Sequence, residues 1–387
     1  MRILDARFAW LTVLLATGLG CQSTPTPKGS GLVDSNALPS TIALWNNLYD
    51  LQGQAVLFGH EDDLAYGTTW WAEPGRSDVK EASGSYPAVY GWDLGDLENG
   101  AETNLDEVSF EAMAQWMREV HERGGINTVS WHMDNLTNGR DSWDTTRTVV
   151  HLLPGGSHHE AFNEALDRLA AYVSSITVKT TWWGKQEAIP IFFRPWHEHT
   201  GGWFWWGTTG TTPAEYIDLW QYTVTYLRDQ KGVHNLMYVY SPNTGDTLDA
   251  PFYFERYPGD AYVDVLGLDD YWTLHPKNDA DGMAVARMAA YLSLVAKEAT
   301  ARGKLAAFTE SGIESVADTT WFSERLLKAL DWDEHTRKMS WSLVWRNALD
   351  RSMPGHYYAP YAGHPAEPDF RAFRAHPLIL FEDDLPW

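Results

Sequence analysis

Eight short apolar runs, each followed by a polar loop or a stretch of helical period, constrain this chain more than any other feature. They are Ala55–His60 (AVLFGH), Ala88–Leu94 (AVYGWDL), Ile126–His132 (INTVSWH), Ile189–Glu198, Leu236–Pro242 (LMYVYSP), Val263–Trp272 (VDVLGLDDYW), Leu305–Glu310 and Met339–Asn347 (MSWSLVWRN). None alternates strictly between apolar and polar residues, as a half-exposed antiparallel strand would, so each reads as a strand covered on both faces. Between them, Phe110–Glu122, Ala161–Ser175, Ala214–Asp229, Met283–Thr300 and Phe322–Leu330 have helical period. Before the third of these, Thr212 can cap, Pro213 suits the first helical position and Glu215 can reach back to complete a capping box. Alternating strands and helices imply a parallel sheet. Eight repeats favour an α/β fold of the (β/α)8 barrel type over an open doubly wound sheet, and no glycine-rich nucleotide fingerprint follows any run.

One barrel domain is expected over residues 40–387, with the excess length in the loops Glu61–Pro87, Met133–His158 and Ser241–Tyr262. Long ordered loops at a barrel mouth shape a binding cleft. Ahead of the domain, Arg2 and Arg7 flank a short charged region, and Phe8 to Leu19 is apolar but too short to span a membrane. Residues 1–20 therefore read as a secretion signal. Cys21, the single cysteine, follows directly and opens a polar, proline-containing tether over residues 21–39. That arrangement resembles a bacterial lipoprotein lipidated on its first mature residue, with Leu19 displaced from the usual lipobox position. Ordinary signal cleavage leaving a free thiol is the alternative. The chain is expected to be exported, as an outer-membrane lipoprotein or as a periplasmic or extracellular protein, and to be monomeric.

A formal net charge of -23 argues against nucleic acid and other polyanions as partners, because phosphate binding needs clustered Lys and Arg. A neutral polysaccharide meets no such repulsion. The 21 tryptophans and 18 tyrosines supply flat apolar rings of the kind that stack on the C–H faces of sugars. Two glutamates complete the pattern: Glu198 in IFFRPWHEHTGGWFWWG and Glu310 in KLAAFTESG each close an apolar run. A carboxylate at the carboxyl end of a barrel strand is where this architecture does chemistry, and two of them suit the cleavage of a glycosidic bond. Glu198, between His197 and His199 and followed by the Trp-rich segment 202–206, is the better proton donor, because such surroundings can desolvate a carboxyl and keep it protonated. Glu310, beside a polar Ser-Gly turn, suits an ionised nucleophile. His60 with the Glu61-Asp62-Asp63 triplet invites a metal reading, but one histidine beside acidic residues is expected to form a hydrogen-bonded rim, and neither a catalytic metal nor another cofactor is expected.

The run FRPWHEHTGGWFWWG resembles the acid/base signature of glycoside hydrolase family 26, whose members are mostly β-mannanases. FGHEDDLAYG, SWH, VDVLGLDDYW, FTESG and VWRN resemble further elements of that family in the same order, over about residues 40–380. The resemblance implies a retaining double displacement on β-1,4-mannan or manno-oligosaccharides, with Glu198 as acid/base and Glu310 as nucleophile. It implies that His197 and Tyr271 orient the catalytic carboxylates, Tyr271 by a hydrogen bond to the nucleophile, and that Trp203 lies on the leaving-group side. His132 and Trp345 would line the subsite of the distorted sugar, Trp345 as its floor, and Arg346 would contact the next sugar toward the non-reducing end. Endo action is favoured. An exo-acting mannobiose-releasing enzyme, a hydrolase of another β-glucan or xylan, and a non-catalytic glycan-binding protein are the alternatives. In loop 133–158, Asp134, Asp141, Trp143, Asp144 and Arg147 are the candidates to bond a chain end.

Overall fold

The computed structural model describes residues 26–29, 31–181, 184–245, 248–348 and 354–387. The signal segment and Cys21 lie outside the described residues. Eight parallel strands form the barrel: β1 (Val56–Glu61), β2 (Val89–Asp93), β3 (Ile126–Ser130), β4 (Ile191–Arg194), β5 (Leu236–Tyr240), β6 (Val265–Asp270), β7 (Leu305–Ser311) and β8 (Met339–Val344). Each pairs with its neighbour in chain order, and β8 pairs back onto β1 with Leu57 opposite Trp341 and His60 opposite Val344, which closes the sheet. Every strand residue is buried, as expected of parallel strands covered on both faces.

The two-residue period of the strands sorts side chains between two cores. Val56 and Phe58 face outward into the core beneath the helices, while Leu57 points into the barrel with Val89, Phe192, Met237, Val239, Val265, Ala307, Trp341 and Leu343. Trp45 and Leu48, on a helix over Pro39–Leu51, join that inner core and close the barrel floor. Higher up, the same inward faces turn polar, and they carry Glu61, Asp93, Arg194 and Asp269 at the carboxyl ends of β1, β2, β4 and β6. The barrel is thus dry below and charged above.

The helix Phe110–Glu122 has the boundaries that its period predicts. The capping box at Thr212 forms, with its hydroxyl accepting from Glu215 N and the Glu215 carboxylate accepting from Thr212 N at 2.9 Å. That helix then widens into a π turn over Tyr226–Gln230. Elements beyond the sequence reading include the floor helix Pro39–Leu51, a helix over Glu367–Arg374, an antiparallel hairpin of Thr177–Lys179 with Gln186–Ala188, and Ile379–Leu380, which adds to β1. Within the segment read as a tether, Val33 N donates to Asp264 at 2.7 Å and Asp34 pairs with His234 at 2.7 Å, so the chain lies against the floor before residue 39.

Candidate active site

Glu310 lies on β7, but a regular strand would point it the wrong way. Gly267 faces Ala307 and Leu268 faces Phe308, after which Asp269 faces Glu310, so Thr309 is bulged out of the register. Without that bulge, Glu310 would share the outward face of Phe308; with it, the carboxylate turns into the barrel mouth, as bulges near active sites commonly do. The bulge is tied down by the Thr309 hydroxyl, which donates to Asp269 Oδ1 at 2.6 Å and Leu268 O at 3.0 Å. Room for Thr309 comes from Gly267, where an added Cβ would stand 2.7 Å from Thr309 Cγ2 and 2.9 Å from Ser241 Cβ.

Both Glu310 oxygens are held. Arg194 pairs with one, and the Tyr271 hydroxyl donates to the other at 2.8 Å. The same guanidinium donates to Asp269 Oδ2 at 2.8 Å, and Ser241 Oγ donates to that oxygen at 3.0 Å. Burial pushes the Asp269 carboxyl up to about 7, with Arg194 opposing and Glu310 adding to the rise. Glu61 is packed in the same interior, against Gly91, where a Cβ would meet its Oε2 at 1.7 Å. Burial raises its pKa well above the usual carboxylate range, with Asp62 and Glu310 adding to the rise.

Glu198 corrects one expectation. It does not end a strand: β4 stops at Arg194, and the chain then turns outward through Trp196 at φ 51° and Glu198 at φ 53°. Left-handed backbone at two non-glycine residues stores strain of about 1–3 kcal/mol each, the kind that persists at functional sites because surrounding contacts over-determine it. Here Glu198 N donates to Ser241 O at 2.8 Å and Tyr216 OH donates to Trp196 O at 2.9 Å. The Glu198 carboxyl accepts from the Trp203 indole at 2.9 Å. Burial raises its pKa well above the usual carboxylate range, and the nearby Glu310 and Asp269 carboxylates raise it further.

Glu198, Glu310 and Asp269 line one cleft of about 870 Å³, together with His132, His197, Trp203, Tyr271 and Trp345. His132 Nδ1 bonds Asp93 Oδ2 at 2.7 Å. Burial alone would lower the His132 pKa, but the Asp93 carboxylate raises it; in return, despite burial, the His132 charge and the donors of His132, Ser130 and Gly95 hold Asp93 down at about 2. Burial and the neighbouring cations push His197 well below its ordinary pKa, so its imidazole is neutral. His199 turns away from the cleft and packs between Tyr216 and Tyr240, with ring centroids 4.2 and 4.8 Å away. Of the segment Gly202–Trp206, Phe204, Trp205 and Trp206 are core, and Trp203 is the exposed indole beside Glu198.

Arg346 stands apart from the residues lining this cleft. It pairs with Asp106, and its Nη1 donates to Tyr66 OH at 3.2 Å. The acidic triplet beside His60 is not a rim either. Glu61 is the last residue of β1, His60 Nδ1 bonds Asp63 at 2.8 Å, Tyr66 OH donates to Asp62 at 2.5 Å, and all four residues are buried. β1 carries His60 and Glu61 inside, and the turn that follows encloses Asp62 and Asp63 against Tyr66 and His60. The sequence reading also overlooked a second acidic group, Asp96, Glu98 and Asp134, whose ligand atoms approach within 4.8 Å. Both Glu98 oxygens are already used, by Trp131 Nε1 at 3.0 Å and Asp134 N at 2.6 Å.

Sequence reasoning missed Arg194, Asp269, Asp93 and the exposed Trp272. Arg194 and Asp269 were visible as charged residues inside runs otherwise read as buried strands, which is itself a signal that they need partners. Trp143 of the long loop does reach the cleft, stacked on His132 at 5.2 Å.

The profile of the family described as glycosyl hydrolase family 26 matches residues 33–336. The chain is 36% identical over 366 residues to a mannan endo-1,4-beta-mannosidase of Bifidobacterium adolescentis, an alignment that covers 91% of this chain and 35% of that protein. A mannan endo-1,4-beta-mannosidase of Bacillus subtilis is 28% identical over 260 residues, 62% of this chain and 66% of that protein. The chain thus spans 35% of the first relative's length and 66% of the second's. Among solved structures, a family 26 beta-mannanase from Bacteroides ovatus is similar at TM-score 0.81 and 40% identity, covering 90% of this chain and 96% of that one. An endo-beta-1,4-mannanase of Cellulomonas fimi gives TM-score 0.80 and 36% identity over 91% of this chain and 78% of that one. With the family match running from the floor segment through β7, this chain belongs to glycosyl hydrolase family 26.

Proposed function

We propose that the chain is a retaining endo-β-1,4-mannanase, with Glu198 as acid/base and Glu310 as nucleophile. One observation carries this: the two carboxyls share a cleft in opposite electrostatic settings. Arg194 and Tyr271 donate to both oxygens of Glu310, whereas Glu198 has one indole donor and acidic neighbours that favour its protonated form. In the first step a Glu310 oxygen attacks the anomeric carbon, the glycosidic C–O bond breaks, and the Glu198 proton passes to the departing oxygen. In the second, the Glu198 carboxylate takes a proton from water as the water oxygen attacks the same carbon and frees Glu310. Two inversions give net retention.

His132, anchored through Nδ1 to Asp93, keeps Nε2 for a sugar hydroxyl, and neutral His197 adds an uncharged partner beside Glu198. Trp345 offers the stacking floor at the reacting sugar, and Trp203 flanks the leaving group. Arg346, braced by Asp106, serves the next sugar toward the non-reducing end. Mannan as substrate draws support from the mannanases among the relatives and from a strongly acidic chain that suits a neutral polymer. Endo action is supported by the state of loop 133–158. Arg147 pairs with Glu215, Asp144 accepts from Asn138, Asp134 accepts from Asn99 at 2.9 Å, and Asp141 accepts from Trp143 N at 3.1 Å, and none of these four charged groups is among the residues lining the cleft.

The test is reducing-sugar release from mannan, glucomannan, galactomannan, xylan and a soluble β-glucan, with viscosity followed in parallel. Preferential release from the mannans, with viscosity falling early, is expected; preference for xylan or glucan would overturn the substrate assignment. A 2-fluoro mannosyl donor should label Glu310, and a label elsewhere would refute the nucleophile. We also propose that Cys21 anchors the protein to a membrane through acyl chains. Detergent-phase partition that is lost in Cys21→Ser would support the anchor, and a native chain that is soluble without detergent would refute it.

A further inference from the structure

We propose that Trp272 is a stacking platform for a mannosyl unit beyond the first on the leaving-group side, with Arg287 as the adjacent hydroxyl-binding group, a placement that rests on the mannanase reading above. Trp272 is 71% exposed, the most exposed large apolar side chain among the described residues, and it lines the reaction cleft. Trp71 and Trp143, also exposed, each have a covered face, stacked on Tyr66 and His132 respectively. No described ring covers Trp272. At 71% exposure the indole keeps most of its apolar surface in water, and its place in the cleft lining presents that surface to a bound ligand.

The backbone beneath the ring is nevertheless fixed. Asp270 Oδ1 accepts from Trp272 N at 3.1 Å and Thr273 N at 2.7 Å, while its Oδ2 accepts from Thr273 Oγ1 at 2.8 Å and from Thr244 Oγ1. Asn278 Nδ2 donates to Trp272 O at 3.0 Å. Asp270 is therefore a positioning residue that pins the loops after β5 and β6 together. A platform held rigidly before its ligand arrives loses less entropy on binding.

Its position follows from the circular order of the strands. Tyr66, Asp106 and Arg346 come from the loops after β1, β2 and β8, and the ends of β5 and β6, with Thr244 and Trp272, lie across the barrel from them. Glu198 and Glu310 stand between. Trp203, Asn243, Thr244, Trp272, Arg287 and Tyr291 all line the cleft, and with Arg346 serving the non-reducing side, this opposite wall is the one to which Glu198 delivers its proton. Arg287 spends N–H groups on Asp281 at 3.2 and 3.4 Å and has further donors for sugar hydroxyls.

The test compares full-length wild type with Trp272→Ala and Trp272→Phe on two substrates. An aryl β-mannobioside ends at the first leaving-group position, whereas mannopentaose reaches beyond it. Trp272→Ala should lower kcat/KM on mannopentaose by roughly tenfold, the scale of one lost aromatic contact, and by far less on the aryl substrate. Products labelled from heavy-oxygen water should show cleavage moving toward the reducing end, because the chain no longer gains by extending over the platform. Trp272→Phe should recover part of both effects, and all three proteins should melt alike. Unchanged mannopentaose cleavage in Trp272→Ala would overturn the platform, as would an equal loss on both substrates. A wild type inactive on every manno-oligosaccharide would instead overturn the mannanase reading, and this proposal with it.

Discussion

Glu198 sits at φ 53°, with Trp203 on one oxygen and the Glu310 and Asp269 carboxylates nearby. A general acid contributes about 10²–10⁴-fold, so Glu198→Ala should lose activity on unactivated mannan by a factor in that range. It should keep a usable first step on an aryl mannoside with a good leaving group, and azide should restore part of the turnover; equal loss on both substrates without azide rescue would count against the acid role. The pH dependence has a definite sign. The acid works protonated and its pKa is raised, so wild-type activity should persist through neutrality and fall as pH rises through that raised value. This alkaline limb should disappear when Glu198→Ala is assayed on the activated substrate.

The strand β7 shows how one irregular element aims a whole site. Its bulge at Thr309 exists because β6 carries a glycine opposite, so Gly267→Ala should press on Thr309 and Ser241 and shift Glu310 off Arg194 and Tyr271. Overpacking of this kind costs about 1–3 kcal/mol. The variant should fold with a lowered denaturation midpoint and lose kcat out of proportion to that loss, and wild-type kcat would show that the bulge does not aim the nucleophile. The capping box makes a contrasting case. Thr212→Ala removes the hydroxyl that accepts from Glu215 N, should cost about 1 kcal/mol in chemical denaturation, and should leave kcat unchanged, because that helix start lies away from the residues lining the cleft.

Across the molecule, burial raises carboxyls: Asp62 and Asp269 to about 7, Glu98 to about 7 and Asp264 to about 6. Each holds a proton in the folded chain that the unfolded chain has released above pH of about 4. Their contribution is therefore fully present below the unfolded value and is lost as pH rises through the folded one. Asp93, held at about 2, works in the opposite sense, but its stability disappears only as pH falls toward that value. His197 and His199, buried neutral, also oppose the trend below pH of about 6.5, where the unfolded chain takes up their protons, but they are outnumbered by the four raised carboxyls. A charge of -23 adds self-repulsion at high pH. The melting temperature should thus be higher at pH 5.5 than at pH 8 by more than about 3 °C, given the few degrees that one kcal/mol is worth in a chain of this size. Asp62→Asn should raise the melting temperature at pH 8 and change little at pH 5, since asparagine tolerates the φ of 53° and can still accept from Tyr66. A flat profile in wild type would contradict the raised values.

Period and hydrophobicity were enough to place eight strands, several helices and the barrel class, because both are local properties of consecutive residues. The helix Phe110–Glu122 and the Thr212 capping box lie where the sequence puts them. Both glutamates were legible as carboxyls closing apolar runs. What the sequence could not reveal is non-local. The bulge that turns Glu310 inward depends on a glycine on the neighbouring strand, and the turn that carries Glu198 past β4 depends on Ser241 and Tyr216. The burial of Glu61 to Asp63 and the sharing of Arg194 between Asp269 and Glu310 arise only when distant strands close into one interior. Trp272 likewise has no signature in composition, since a tryptophan's exposure is decided by what the folded chain places against it and not by its neighbours in sequence.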